Sequence, residues 1–427
     1  MDRIAILRLL LVLLYWCKGN PTKNAQNQMH ESLPERWFAT LKKNRNAFYL
    51  FGNEKRFFQY GHLDRKNLLS ANSLIHEIPT GTNINHFRHS LDFDHGICPA
   101  CCALGLIRLP LFTTQGGSGK APGINFKPPI YIIPVGATLL ETLRLSWVNR
   151  KNLGAPMWER SNLQIPIKGD ITFLEGLTAM PRRVWLDNPD LDGTCMGCGR
   201  YAALVRRCNF AGIPKRKYPL KWIDPNVIYF TENNVIRLLR TENISSPGSL
   251  ITDRPWSRMM EHILGSTYID DQPIEVRFLI VGFSSDQTKY IDVWERYVVF
   301  PSGLNNEDKA ETINRWSASV SVIPWKIKHP NRKPSIAERS LVRTIRPHIE
   351  SVVSSDLSAL LKWDENTWRE ATCQYGELML SVSQSLHPGY ATSSISRRKH
   401  TAHVLPDMKS KTAKNLDTDI EEELHDE

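Results

Sequence analysis

Apolar positions divide the chain into three regimes. Near the start, Leu9-Leu10-Leu11-Val12-Leu13-Leu14-Tyr15-Trp16-Cys17 follows Arg3 and Arg8 and is closed by Gly19 and Pro21. Glycine just past the last apolar residue and proline beyond it are stop signals, so the segment predicts a buried helix ending at Gly19. A secretory signal is the rival reading, but Lys18-Gly19-Asn20-Pro21 offers no small-x-small cleavage site. The run is also far shorter than the roughly 20 residues that cross a bilayer. The middle, residues 90 to 300, carries short apolar runs at Ile130 to Val135, Val227 to Phe230, Val276 to Val281 and Val298 to Phe300, separated by clusters such as Asn188-Pro189-Asp190 and Ser246-Pro247-Gly248. Strand-length runs between turn signals, without βαβ regularity, predict an α+β fold. Val276 to Val281 and Tyr290 to Trp294 flank the polar stretch Gly282 to Thr288, which predicts a hairpin.

Residues 335 to 386 change period. Leu341, Ile345, Ile349 and Val353, then Trp368, Tyr375, Leu378 and Leu380, predict two amphipathic helices forming a small helical subdomain. Beyond it the chain turns rich in Ser, Thr, Lys and Asp, with Arg397-Arg398-Lys399 and later Glu421-Glu422-Glu423, the composition of a disordered tail. The expected organisation is an α+β domain over 1–300, a helical part over 301–386 and a tail over 387–427.

Composition narrows the partner. Hydrophobic residues at 41% and charged residues at 23% fit a chain that folds in water and exclude a polytopic membrane protein. Fifty-four Lys and Arg against 44 Asp and Glu give a net charge of +10, which draws polyanions and makes nucleic acid the first partner to consider. Eight cysteines are too few for a disulfide framework, and four of them form two C-x-x-C pairs, Cys98-Pro99-Ala100-Cys101 and Cys195-Met196-Gly197-Cys198. Thiolates two residues apart turn inward together, and two such pairs make a closed tetrahedral zinc site that is structural because no position is left for water. A dithiol redox role is the competing reading of C-P-A-C, although it leaves the second pair unexplained. Cys17, Cys102, Cys208 and Cys373 read as packed thiols.

Two segments carry candidate contact chemistry. Gln115-Gly116-Gly117-Ser118-Gly119-Lys120 imitates a phosphate loop, but Thr114 stands where the Walker pattern needs Gly and Ala121 where it needs Ser or Thr. What remains is a loop without Cβ atoms beside one positive charge, suited to a groove or a phosphate, with an ordinary surface turn as the alternative. After the second cysteine pair, Arg206, Arg207, Lys215, Arg216, Lys217 and Lys221 interleave with Phe210, Tyr218 and Trp222. Cations with stacking platforms suit nucleic acid, and a solvated charged face is the other reading. H-E-x-x-H, and H-x-E standing ahead of P-C-x-x-C, the signatures of metal hydrolases and deaminases, are absent from the sequence. On residues alone, a stand-alone zinc-stapled protein that binds nucleic acid without sequence choice stays open beside a sequence-reading one.

An ordered series of motifs resembles one family. Arg56-Phe57-Phe58-Gln59, Pro79-Thr80-Gly81-Thr82-Asn83, the first cysteine pair, the Gly-Ser-Gly-Lys loop, Leu139-Leu140-Glu141-Thr142-Leu143, Gly154-Ala155-Pro156-Met157-Trp158-Glu159, Phe173-Leu174-Glu175-Gly176-Leu177, the second pair and Gly282-Phe283-Ser284-Ser285-Asp286-Gln287 follow one another. Together they are similar to the CasA family, the large subunit of the type I-E CRISPR surveillance complex Cascade, here shortened at both ends. The resemblance implies a cytoplasmic, non-enzymatic subunit without a membrane anchor. Such a subunit recognises the protospacer-adjacent motif in double-stranded DNA and starts strand separation and R-loop formation. It works with other Cascade subunits that hold guide RNA and recruits a helicase-nuclease. By the same resemblance Gly116, Gly117, Ser118 and Gly119, with Lys120 beside them, enter the minor groove, Lys217 or Lys215 contacts the motif, and Gln287 is the wedge that splits the duplex.

Overall fold

The structure, a computed structural model, describes residues 1–76 except 30, 31, 53, 54, 63, 65 and 67; 95–113; 123–125; 129–160; 163; 170–213; 222–232 except 228; 235–238; 276–286; 289–300; 370 and 374. The chain forms two units, one of Met1–Tyr229, Ile236–Thr241 and Ile280–Glu295, the other of Phe230–Val235, Glu242–Leu279 and Arg296–Glu427. Most described residues belong to the first. The expected helical part at 301–386 and tail at 387–427 lie outside the described residues, apart from Glu370 and Gln374, which are helical.

Helices and strands are mixed, as the apolar pattern predicts. The helices are α1 (Asp2–Lys18), α2 (Lys23–Asn27), α3 (Ala39–Lys43), α4 (Pro99–Phe112), α5 (Leu139–Ser146) and α6 (Phe173–Thr178). The strands are β1 (Leu68–Ser70), β2 (Tyr131–Val135), β3 (Arg182–Leu186), β4 (Asp192–Thr194), β5 (Tyr201–Ala203), β6 (Arg207–Gly212), β7 (Tyr229–Glu232), β8 (Val235–Leu238), β9 (Val276–Asp286) and β10 (Lys289–Phe300). β6 lies antiparallel between β1 and β3, with Leu69 opposite Cys208 and Val184 opposite Phe210. β4 and β5 form a short hairpin with Thr194 opposite Tyr201. A third sheet has the order β10-β9-β2.

Helix α1 is the buried helix that the opening run predicts. Gly19 ends it at φ 79°, a left-handed conformation that favours glycine, and its N–H donates to the Tyr15 carbonyl. Ile4, Ala5, Arg8, Leu11, Val12 and Tyr15 recur at helical spacing on the buried face. Tyr15 shows why this face is fixed rather than merely apolar. Its hydroxyl donates to the Val148 carbonyl at 2.5 Å, accepts from the Val148 N–H at 3.0 Å, and its ring meets Phe173 edge-on at 5.2 Å.

Candidate metal centre and the feet of the contact loops

The four cysteines that the spacing singles out converge. Pro99 occupies the first turn of α4, where its missing N–H costs nothing, so Cys98 caps that helix and Cys101 sits one turn in. Cys195 and Cys198 stand in the turn joining β4 to β5. That turn is closed by the Cys195 N–H donating to the Arg200 carbonyl at 2.8 Å and by Gly199 at φ 72°. Ile97 and Val205 exchange two backbone hydrogen bonds, and the Met196 N–H donates to the Gly96 carbonyl at 3.1 Å, which brings the turn against the helix start. All four Sγ atoms lie within 4.8 Å of one another, and Cys98 Sγ is 3.8 Å from Cys198 Sγ. A tetrahedron with Zn–S bonds of about 2.3 Å has sulfurs about 3.8 Å apart, so the spacing fits a metal ion held by four thiolates.

Electrostatics favour the same conclusion. Burial pushes the Cys98 thiol up, with Cys195 and Cys198 adding to the rise; Cys101 is pushed up by burial and by all three neighbours. Burial also acts to raise Cys195, but the backbone N–H groups of Cys98, Cys198 and Gly197, with the Cys101 thiol, outweigh it and bring the group down to about 7. The Cys98 N–H itself donates to Cys195 Sγ at 3.2 Å. One thiolate is therefore readily formed, while further ionisation meets mutual repulsion that a bound cation relieves. Cys102 and Cys208 are fully buried and are not among the four clustered sulfurs, as packed thiols. Cys373 lies outside the described residues.

Gly116, Gly117, Ser118, Gly119, Lys120, Lys215, Lys217 and Gln287 lie outside the described residues. Their flanks do not. The Gly123 N–H donates to the Thr113 carbonyl at 3.2 Å, pinching together the two ends of the 114–122 segment. The basic segment leaves β6 after Gly212 and returns at Trp222, whose Nε1 donates to the Phe173 carbonyl at 3.3 Å. Trp222 also packs onto Gly176, where an added Cβ would stand 2.0 Å from the indole. β9 ends at Asp286 and β10 begins at Lys289, so the predicted hairpin is present on either side of Gln287.

Several residues of the basic, aromatic stretch have structural employment instead. Arg206 pairs with Asp190 at 3.0 Å, Phe210 lies in β6 opposite Val184, and Trp222 is engaged by α6. The sequence misses a buried polar cluster around Asp224, because an isolated Arg8 and an isolated Asp224 carry no spacing signal. It also misses α4, since prolines at both ends and apolar residues on every side hide the helical period.

A family model described as CRISPR-associated protein Cse1 matches residues 2–243. The CasA/Cse1 protein of Thermus thermophilus is 25% identical over 342 residues, 73% of this chain and 65% of that protein, so the match spans less than two thirds of the relative. A crystal structure of a CRISPR-associated protein from Thermus thermophilus superposes with a TM-score of 0.68 at 18% identity, covering 95% of this chain and 91% of the other. A chain of a CRISPR RNA-guided surveillance complex gives a TM-score of 0.63 at 15% identity, covering 96% and 90%. Since the family model takes in more than half of the residues and the fold agrees with solved CRISPR-associated proteins, the chain belongs to the Cse1 (CasA) family.

Proposed function

We propose that the chain is the non-catalytic DNA-recognition subunit of a cytoplasmic type I-E Cascade. In this reading it binds the protospacer-adjacent motif in duplex DNA, initiates strand separation and R-loop formation for a guide RNA held by the other Cascade subunits, and recruits a helicase-nuclease. The observation that carries the reading is the Cse1 match over residues 2–243, which takes in both the Gly116–Lys120 loop and the Lys215 and Lys217 segment. Zinc on Cys98, Cys101, Cys195 and Cys198 is structural: four thiolates leave no open coordination position, so the ion ties α4 to the β4-β5 turn and supplies no reaction. Gly116, Gly117, Ser118 and Gly119 approach the minor groove because they lack bulk, and Lys120 meets a phosphate. Lys215 and Lys217 add phosphate and motif contacts, and Gln287 acts as the wedge, its amide donating to and accepting from bases that lose their partners. Minor-groove readout separates A·T from G·C and tolerates several motifs.

Salt dependence tests the contact assignment. The Lys215→Ala, Lys217→Ala double variant is expected to bind duplex more weakly, with the log-log salt slope shallower by about 0.9 for each phosphate that is no longer neutralised. Gly117→Val is expected to weaken binding at an unchanged slope. A slope and affinity equal to wild type in both variants would return these segments to ordinary solvated surface.

A further inference from the structure

The carboxylate of Asp224 is wholly buried, and three parts of the fold meet on it. Arg8 Nη1, from α1, donates to Oδ1 at 2.8 Å and Oδ2 at 2.7 Å. Asn125 Nδ2 donates to Oδ2 at 2.8 Å, and the Asn226 N–H donates to Oδ1 at 3.0 Å. The Asp224 N–H donates to the Tyr229 hydroxyl at 2.5 Å. The Arg8 guanidinium also lies 5.7 Å from the centre of the Trp222 ring. Charge-assisted hydrogen bonds shut off from water are stiff constraints on whatever carries their partners.

Position along the chain gives this cluster its meaning. Asn125 stands two residues beyond Gly123, the residue that closes the foot of the glycine segment on Thr113. Asp224 stands two residues beyond Trp222, where the basic segment re-enters the fold. The Arg8 pair ties the carboxylate to α1; the bond from Asn125 supplies a further donor to the same buried carboxylate and ties the foot of one segment to the foot of the other. We propose that Asp224 is a positioning residue that joins the foot of the glycine segment, through Asn125, to the foot of the lysine segment, with Arg8 as the counter-charge beside its carboxylate. The inference rests on the proposed reading that both segments touch DNA. A fixed spacing between their feet removes ordering that would otherwise be spent on binding.

Asn125→Ala in the full chain separates this role from simple support. The probe is a short fluorescent linear duplex, titrated over a range of salt, with the DNA-binding active fraction and the metal stoichiometry measured on the same preparation. The expected result is a Kd about threefold to tenfold above wild type, with salt slope, active fraction and metal content unchanged, because the lysines still meet phosphates but are less well placed. Wild-type affinity in Asn125→Ala beside weakened Gly117→Val would overturn the anchor while leaving the DNA reading standing. A reduced active fraction whose remaining molecules bind with wild-type Kd would also overturn it, since the residue would then only support folding. Wild-type affinity in Gly117→Val and in the Lys215, Lys217 variant would overturn the DNA reading and the anchor together.

Discussion

Arg56 and Gln59 show how the polar ends of Arg56-Phe57-Phe58-Gln59 serve the fold. Arg56 Nε donates to the Gly52 carbonyl at 2.6 Å and Nη1 to the Leu186 carbonyl at 2.7 Å, while its guanidinium lies 4.2 Å from the centre of the Trp185 ring. Gln59 donates from Nε2 to the Leu50 carbonyl at 2.8 Å and accepts from the Leu186 N–H at 2.9 Å. Between them Phe57 and Phe58 enter an aromatic cluster with Phe48 and Trp158, Phe58 adopting φ 49° to do so. The motif is thus a clip that fastens residues 50–59 to β3. Gln59→Leu leaves the Leu186 N–H and the Leu50 carbonyl without their side-chain partner, and the expected loss is about 1–3 kcal/mol of unfolding free energy, measured by denaturant titration. Stability equal to wild type would show that the clip is dispensable.

Among the elements, a metal ion on the cysteine cluster would set the largest energy. Apparent binding energies of about 10–16 kcal/mol for structural zinc compare with total stabilities of about 5–15 kcal/mol for a domain. The cysteines on α4 and on the β4-β5 turn are almost a hundred residues apart, so an ion held by all four would close a long loop. Cys195→Ser, or prolonged chelation, is therefore expected to yield protein that is protease-sensitive and depleted of metal. Wild-type protein purified without stoichiometric metal would contradict the assignment. This cluster was the most legible part of the sequence because doubled C-x-x-C spacing has few other physical uses. α1, β2 and the strands flanking Gln287 were legible for a different reason, as mainly apolar stretches ending at glycine or polar turns. β3 and β6 were not, since β3 alternates over only a few residues, while β6 has a single fully buried position, Cys208, and its Arg207 reads as part of a charge cluster. The Asp224 cluster depends on contacts between residues 8, 125 and 224, which no local pattern records.

For the whole molecule, the proposed function has the net charge of +10 supply attraction to DNA of any sequence and the short segments held at their feet by the first unit supply selectivity. Exchange of duplex for guide heteroduplex is close to balanced, but the first opening step costs about 1–2 kcal/mol of stacking before guide pairing offsets it. A motif-reading subunit with a wedge therefore acts on initiation, and its effect is kinetic. The most direct measurement is the rate at which a guide-loaded complex opens linear duplexes carrying a randomised motif beside a fixed target, compared with the wild-type chain, with Gln287→Ala and without the chain. The account predicts rapid opening confined to a subset of motifs with the wild-type chain, slower opening of the same subset with Gln287→Ala, and neither speed nor selectivity when the chain is left out. Opening at the same rate and over the same motifs without the chain would contradict it.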